Sequence, residues 1–275
     1  DHCRELARNV GFRRPDSEIQ ETQAMSEHND HHIEQMRAVT ISREYGSGGG
    51  EIAKRLATQL GWQVIDHDIV WRIAQEMNVS EQEAQVRDEQ VESLLVRILN
   101  SMQKVDAPFM VTAPPLGVIT TNPQEYRDAL IKVIDAAVAR GHVVIVGRAS
   151  QILLAERRDV LHVRIVAPLE MRVAYVMKRE GLSREQALTR IQGKERDRQR
   201  YLQSEFKQDP EDAHLYDLIV NSAVLTLDSI VSLAYCALRY KAAQIAVAAE
   251  DLGPGAGMTQ YPGQPADFPL PEPQS

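Results

Sequence analysis

Cysteine is nearly absent: Cys3 and Cys236, one near each end of 275 residues, give neither a disulfide framework nor metal-ligand spacing. That usage suits a reducing cytosol. No run of about 18 apolar residues occurs, and the polar start from Asp1 to Met36 lacks the apolar core of a secretory signal, so a cytoplasmic protein without a membrane partner is expected. Excess positive charge is missing too. A formal charge of -8 argues against broad nucleic-acid binding, which needs a basic stripe, and points instead to a small anionic partner.

What remains is ordinary globular composition, 43% hydrophobic and 25% charged, enough for one α/β domain with tails. Residues 1–36 read as a loosely held arm, 37–248 as the domain, and 249–275 as a Pro/Gly-rich disordered tail. His28, Asp30, His31 and His32 sit in the arm with no partner ligands elsewhere. They read as a solvated tract, and no metal site is assigned.

Ala38-Val39-Thr40-Ile41 is a short strand candidate that empties into Tyr45-Gly46-Ser47-Gly48-Gly49-Gly50, and a helix with Ile52, Leu56 and Leu60 follows to Leu60. Glycines let backbone N–H groups face an anion, and a helix N-terminus adds its positive dipole end. The stretch reads as a nucleotide-phosphate cradle. A second strand, Trp62 to Ile65, ends at Asp66-His67-Asp68, so two βα units open a parallel sheet whose ligand groups gather at the carboxyl ends of the strands.

Helices are expected from Ile69 to about Met77 and from there, continuous or broken, to Lys104, with an extended connection over 105–122 that either folds over a site or meets a second subunit. Val91, Leu94, Leu95, Ile98 and Leu99 serve either an internal core or the seam of a homodimer. Pro123 to Arg140 is a helix stopped by Gly141. His142 to Val146 has the unbroken β-branched run of a central strand and ends at Gly147-Arg148, where Arg148 either binds phosphate or makes an ordinary ion pair. Val160 to Val166 is a fourth strand; His162, lying within it and not past its end, reads as a packed residue. A helix runs through Arg179. Ser183 caps the next, which leads into Arg196-Asp197-Arg198-Gln199-Arg200, read as a closing lid or as a solvated helix face. Asp217 to Asn221 is a fifth strand, and a last helix, capped by Thr226 or Asp228, runs to about Ala248.

The fold expected is therefore α/β, a doubly wound five-stranded parallel sheet with flanking helices, a helical acceptor region over about 66–122 and a lid over about 183–210. Two phosphate-facing elements and an arginine-rich lid suit phosphoryl transfer, in which the protein aligns phosphates and neutralises charge. Asp197 then fixes an arginine or accepts from a substrate group.

The series Ser42-Arg43-Glu44-Tyr45-Gly46-Ser47-Gly48-Gly49, Val64-Ile65-Asp66-His67-Asp68, Val146-Gly147-Arg148 and Arg196 to Arg200 resembles the cytidylate kinase-like family over about residues 38–245. The resemblance implies a P-loop nucleoside monophosphate kinase fold, ATP with Mg²⁺, and CMP or dCMP as acceptor. By position it assigns the ATP phosphates to Tyr45, Gly46, Ser47, Gly48, Gly49 and Gly50, and the acceptor to Asp66, Asp68, Arg148, Asp197 and Arg200. Three departures stand out: Gly49 at the Walker lysine, Gly50 and Glu51 in place of the Ser/Thr pair that supplies the Mg²⁺-binding hydroxyl, and Ala149 after Arg148 in place of aspartate. Arg43 is the candidate substitute for the lysine, with Arg198 and Arg200 beside it as catalytic cations; pairing of Arg43 with Glu44 or Glu51 is the other reading. A nucleotide-binding module with weak or no kinase activity is the alternative function.

Overall fold

The computed structural model describes residues 32–66 and 123–253. Five strands form one wholly parallel sheet: β1 (Ala38–Arg43), β2 (Gln63–Ile65), β3 (Val143–Val146), β4 (Val160–Val166) and β5 (Leu218–Asn221), in the order β2-β3-β1-β4-β5. The centre is therefore β1 and not β3. An unbroken Val-Val-Ile-Val run marks a strand covered on both faces, which any interior strand is, so the run by itself does not distinguish centre from second place.

Alternation in β1 sorts the two layers. Val39 and Ile41 point to the face covered by α1 (Gly49–Leu60) and α6 (Leu227–Ala243), where Ile52, Leu56, Ile230 and Leu238 join Val144, Val146, Leu161 and Val163 in one cluster. Ala38 and its register partners Val143 and Val160 point to the other face, under Leu130, Val133, Ile134, Ala137 and Val138 of α2 (Pro123–Arg140). At about 1.5–3 kcal/mol for each fully buried aliphatic side chain, these two layers hold the sheet edge on which the site stands.

A short α3 (Ser150–Leu153) follows β3. Beyond β4 come α4 (Leu169–Glu180) and α5 (Arg184–Phe206), an antiparallel hairpin with its own small core of Val173, Val176, Ala187 and Ile191 against which Tyr45 packs. Ser183 starts α5 with a complete capping box: its side chain accepts from the backbone of Gln186, whose side chain returns to the Ser183 backbone. The arginine-rich segment is therefore the second half of one continuous helix.

Other boundaries moved by a few residues. β1 runs two residues past Ile41, because Ser42 and Arg43 keep pairing with Arg164 and Ile165. His142 lies outside β3 with φ 60, and Trp62 and Asp217 likewise precede their strands. The last helix, capped by Thr226, stops at Ala243, and a 3-10 turn covers Ala249–Asp251. The expected helices and connection over 67–122, Asp68 with them, and also His28, Asp30, His31 and the tail beyond Gly253 lie outside the described residues.

Candidate functional site

β1 delivers the glycine loop to the middle of the sheet's carboxyl edge. Gly46 and Gly48 take φ +87 and +82, a left-handed backbone that glycine adopts without strain, and Gly48 is the N-cap of α1. The loop divides into two halves. Residues 43–45 and Ser47 are tied to the protein: Tyr45 N–H goes to Glu195, Ser47 N–H goes back to the Glu44 carbonyl at 3.3 Å, and Ser47 Oγ donates to that carbonyl at 2.9 Å and to Ile165 at 3.2 Å. The N–H groups of Gly46, Gly48, Gly49 and Gly50 meet no acceptor among the described residues. Four open donors at a helix N-terminus make an anion cradle.

Arg43, the last residue of β1, lies against this cradle. A β-carbon placed on Gly49 would fall 2.7 Å from Arg43 Cβ and 3.0 Å from its Cγ, and one on Gly147 would collide with Arg43 Nη1. The side chain therefore runs past Gly49 to the end of β3. A side chain at position 49 would therefore meet Arg43 at its first carbon. Pairing of Arg43 with Glu44 or Glu51 is not what the structure shows: Glu44 takes Ala167 N–H at 2.8 Å, and Glu51 pairs with Arg55 at 3.0 Å.

Arg43 gathers the other sequence-predicted cations. Burial, then the charges of Arg198 and Arg148, pull its guanidinium down to about 10, with Asp66 and Tyr45 opposing. Arg198 is lowered by burial first and by Arg164, against Glu195, Tyr216 and Glu44, and its Nη1 donates to the Arg43 carbonyl. Three guanidinium groups crowd one sheet edge with Asp66 as the nearby anion. An entering phosphate would relieve that crowding. Arg148 reaches the edge on an unusual backbone: Gly147, Arg148 and Ala149 have φ 75, 64 and 55 in succession, of a kind that costs on the order of 1–3 kcal/mol per non-glycine residue and gathers at functional sites.

Helical geometry separates the lid residues. Glu195, Arg198 and Leu202 share the face of α5 turned to the loop and sheet, whereas Arg196, Asp197 and Arg200 are exposed on the opposite side. The structure thus joins Arg43, Asp66, Arg148 and Arg198 and leaves Asp197 and Arg200 facing solvent.

Three groups escaped sequence reasoning. Arg164, inside β4 and only 7% exposed, lies 3.4 Å from Ser42 Oγ and 3.3 Å from the Tyr216 hydroxyl. A cation within an apolar strand was the available signal. Arg172 is equally buried, donating from Nε to the Ala167 carbonyl at 2.9 Å and pairing with Glu195 at 2.9 Å. Val224 and Leu225, 75% and 39% exposed, follow β5 in a loop fastened to the cradle by Ser222 Oγ donating to the Ser47 carbonyl at 2.8 Å. Nothing local in the sequence marks that proximity.

The loop offers a divalent ion no hydroxyl. That of Ser47 is engaged twice, and the Glu51 carboxylate that stands in the hydroxyl's place is turned to Arg55, so these residues do not fit a protein-held Mg²⁺.

The sequence profile of the cytidylate kinase-like family matches residues 38–224. The cytidylate kinase of Ignicoccus hospitalis is 28% identical over 197 residues, spanning 71% of this chain and 95% of its own. That of Thermococcus kodakarensis is 28% identical over 202 residues, spanning 73% and 86%. An uncharacterised protein from Eubacterium ventriosum, known from its crystal structure, shares the fold with a TM-score of 0.51 at 17% identity, over 74% of this chain and 98% of its own.

Proposed function

Since the chain belongs to the cytidylate kinase-like family, we propose that it transfers the terminal phosphoryl group of ATP to a nucleoside monophosphate, with CMP or dCMP as the first acceptors to test. The observation that carries the reading is the row of open glycine N–H groups beside a crowded set of partly buried arginines at one sheet edge. The amides of Gly46, Gly48, Gly49 and Gly50 hold the donor phosphates. Val224 and Leu225 give the donor base an apolar shelf beside the loop. Arg148 and Asp66, at the ends of β3 and β2, take the acceptor.

Arg43 stands between the two ends and supplies the positive charge that a Walker lysine otherwise brings. Its planar fork binds two phosphate oxygens at once, so it both bridges donor to acceptor and offsets charge on the group in transit. Arg198 orients Arg43 through its carbonyl. Mg²⁺ would come with ATP as part of the substrate and offset phosphate charge, since the loop's own Ser47 and Glu51 side chains are engaged elsewhere. Arg43 and Arg198 are only partly exposed at this edge, which strengthens each charge interaction there.

A coupled ADP-release assay over a panel of nucleoside monophosphates tests the reading. Turnover with CMP or dCMP above the other bases supports it; turnover with none overturns it. A second reading, a nucleotide-binding module without turnover, is favoured by the engaged Ser47 hydroxyl and the Glu51–Arg55 pair. ATP binding with no acceptor turned over would establish that reading instead.

A further inference from the structure

Side chains of α4 and α5 account for three of the backbone groups on residues 43–45. Arg198 Nη1 donates to the Arg43 carbonyl, Tyr45 N–H goes to Glu195 Oε1 at 3.0 Å, and the Tyr45 carbonyl accepts from Arg172 Nη1 at 3.4 Å. Glu44 completes the set, its N–H on the Ile165 carbonyl at 3.0 Å and its carbonyl accepting from Ser47. Five of the six backbone groups on residues 43–45 are thus held by protein, while the glycine half keeps its donors open. Glu195 and Arg198 are three residues apart on the same face of α5, so a single helix grips the loop on both sides of Glu44.

Glu195 is itself held. Its Oε1 lies 2.9 Å from Arg172 Nη1, and Arg172, with its side chain only 8% exposed, also lies 3.5 Å from Glu44 Oε2. The next residue along has no slack: a β-carbon on Gly46 would meet the Arg172 carbonyl at 2.9 Å and Val176 Cγ2 at 3.0 Å. Fixing the Tyr45 amide therefore fixes where the Gly46 to Gly50 turn begins.

We propose that Glu195, anchored by Arg172, is a positioning residue for the phosphate loop: it sets the glycine turn through the Tyr45 amide, so that the cradle is well formed only when α5 is seated. The inference rests on the phosphate reading of that loop. Glu195 faces the satisfied half and touches no open donor, which separates it from the cations argued above to meet phosphate. A carboxylate suits the task because a charge-assisted bond to an amide is stronger than a neutral one, and its second partner, a buried guanidinium, keeps it in place.

Hydrogen exchange of the Tyr45 amide, read by NMR or by mass spectrometry of overlapping peptides, together with calorimetric binding of MgATP, tests this on the full chain. In Glu195→Ala the amide exchanges at least about tenfold faster and MgATP binds about tenfold more weakly, the loss of one charge-assisted bond. Glu195→Gln keeps an acceptor of the same reach and returns both readouts to within about threefold of the parent, a rescue that generic disruption of α5 would not show. Should Glu195→Ala fail to fold, Glu195→Asp, whose shorter arm draws the carboxylate back from the amide, takes its place with the same expectation. Unchanged Tyr45 exchange, or faster exchange with MgATP affinity intact, overturns the positioning role. Absence of MgATP binding by the parent chain overturns the phosphate reading beneath it, a result independent of the exchange arm.

Discussion

At the scale of single residues, Arg43 and Gly49 act as a pair, since the β-carbon that a side chain at 49 requires falls 2.7 Å from that of Arg43. Arg43→Ala is expected to lower turnover on the order of 10²-fold, as removal of one preorganised charge at a transferring group does. Gly49→Lys alone is expected to disturb the loop. Joined with Arg43→Gly it has room, and the double variant should recover part of the turnover lost by Arg43→Gly. Steady-state kinetics on the three variants and their parent check the set; a double variant no better than Arg43→Gly would show that the positive charge at this point is not interchangeable. Gly46 carries a second prediction. With φ +87 and a backbone carbonyl 2.9 Å from where a β-carbon would stand, Gly46→Ala should cost about 1–3 kcal/mol in urea unfolding, whereas Gly50→Ala, with nothing within 4 Å, should be nearly neutral in stability.

At the scale of elements, β4 carries a buried histidine whose charge state matters to the sheet. His162 Nδ1 is 2.8 Å from Thr40 Oγ1 on β1, its backbone N–H goes to Asp217 Oδ2 at 2.8 Å, and Lys241 on α6 holds the same Asp217 oxygen at 2.5 Å. Burial lowers the imidazole below its usual 6.5, Asp217 opposing and Lys241 adding to the effect. The unfolded chain therefore takes up a proton first as pH falls. Stability from this group is fully present above about 6.5 and declines below it, because there the unfolded state binds more protons than the folded one. Thermal melts between pH 7.5 and 5 should show a falling midpoint whose slope is reduced in His162→Gln; an identical slope in the variant would assign the acid loss to other groups.

At the scale of the molecule, a ligand that binds only the folded domain raises its stability by mass action. MgATP at about 100 times its dissociation constant should add about 2.7 kcal/mol, a rise of about 5–10 °C for a domain of this size. Differential scanning calorimetry with and without MgATP measures it. The arginine cluster should lose this response in Arg43→Ala more than in Arg200→Ala, since Arg200 stands on the exposed side of α5.

The five strands, the capped helices and the glycine loop were legible in the chain because each is a local decision. Apolar runs, a Ser183 cap with Gln186 three residues on, and glycines at a strand end depend on neighbours within a few residues. Family membership was legible for the same reason, being carried by the short stretch from Ser42 to Gly49. Three matters were decided only in three dimensions. Strand order is one, since β3 is the more apolar strand, with Thr40, Ser42 and Arg43 in β1, yet packing makes β1 the central one. The choice among lid residues is another: Asp197 and Arg198, adjacent in sequence, stand about 100° apart around the helix, and only the docking of α5 says which of them meets the loop. The last is the glycine loop itself. Sequence marked it as a glycine turn at a strand end that lacks a lysine; tertiary structure decided that Arg43 lies against Gly49 and that Glu195, 150 residues away, holds the loop's amide. Long-range contacts leave no periodicity or spacing in a single chain, so the physical reason for both lies in the packing of β1 against α1 and α5.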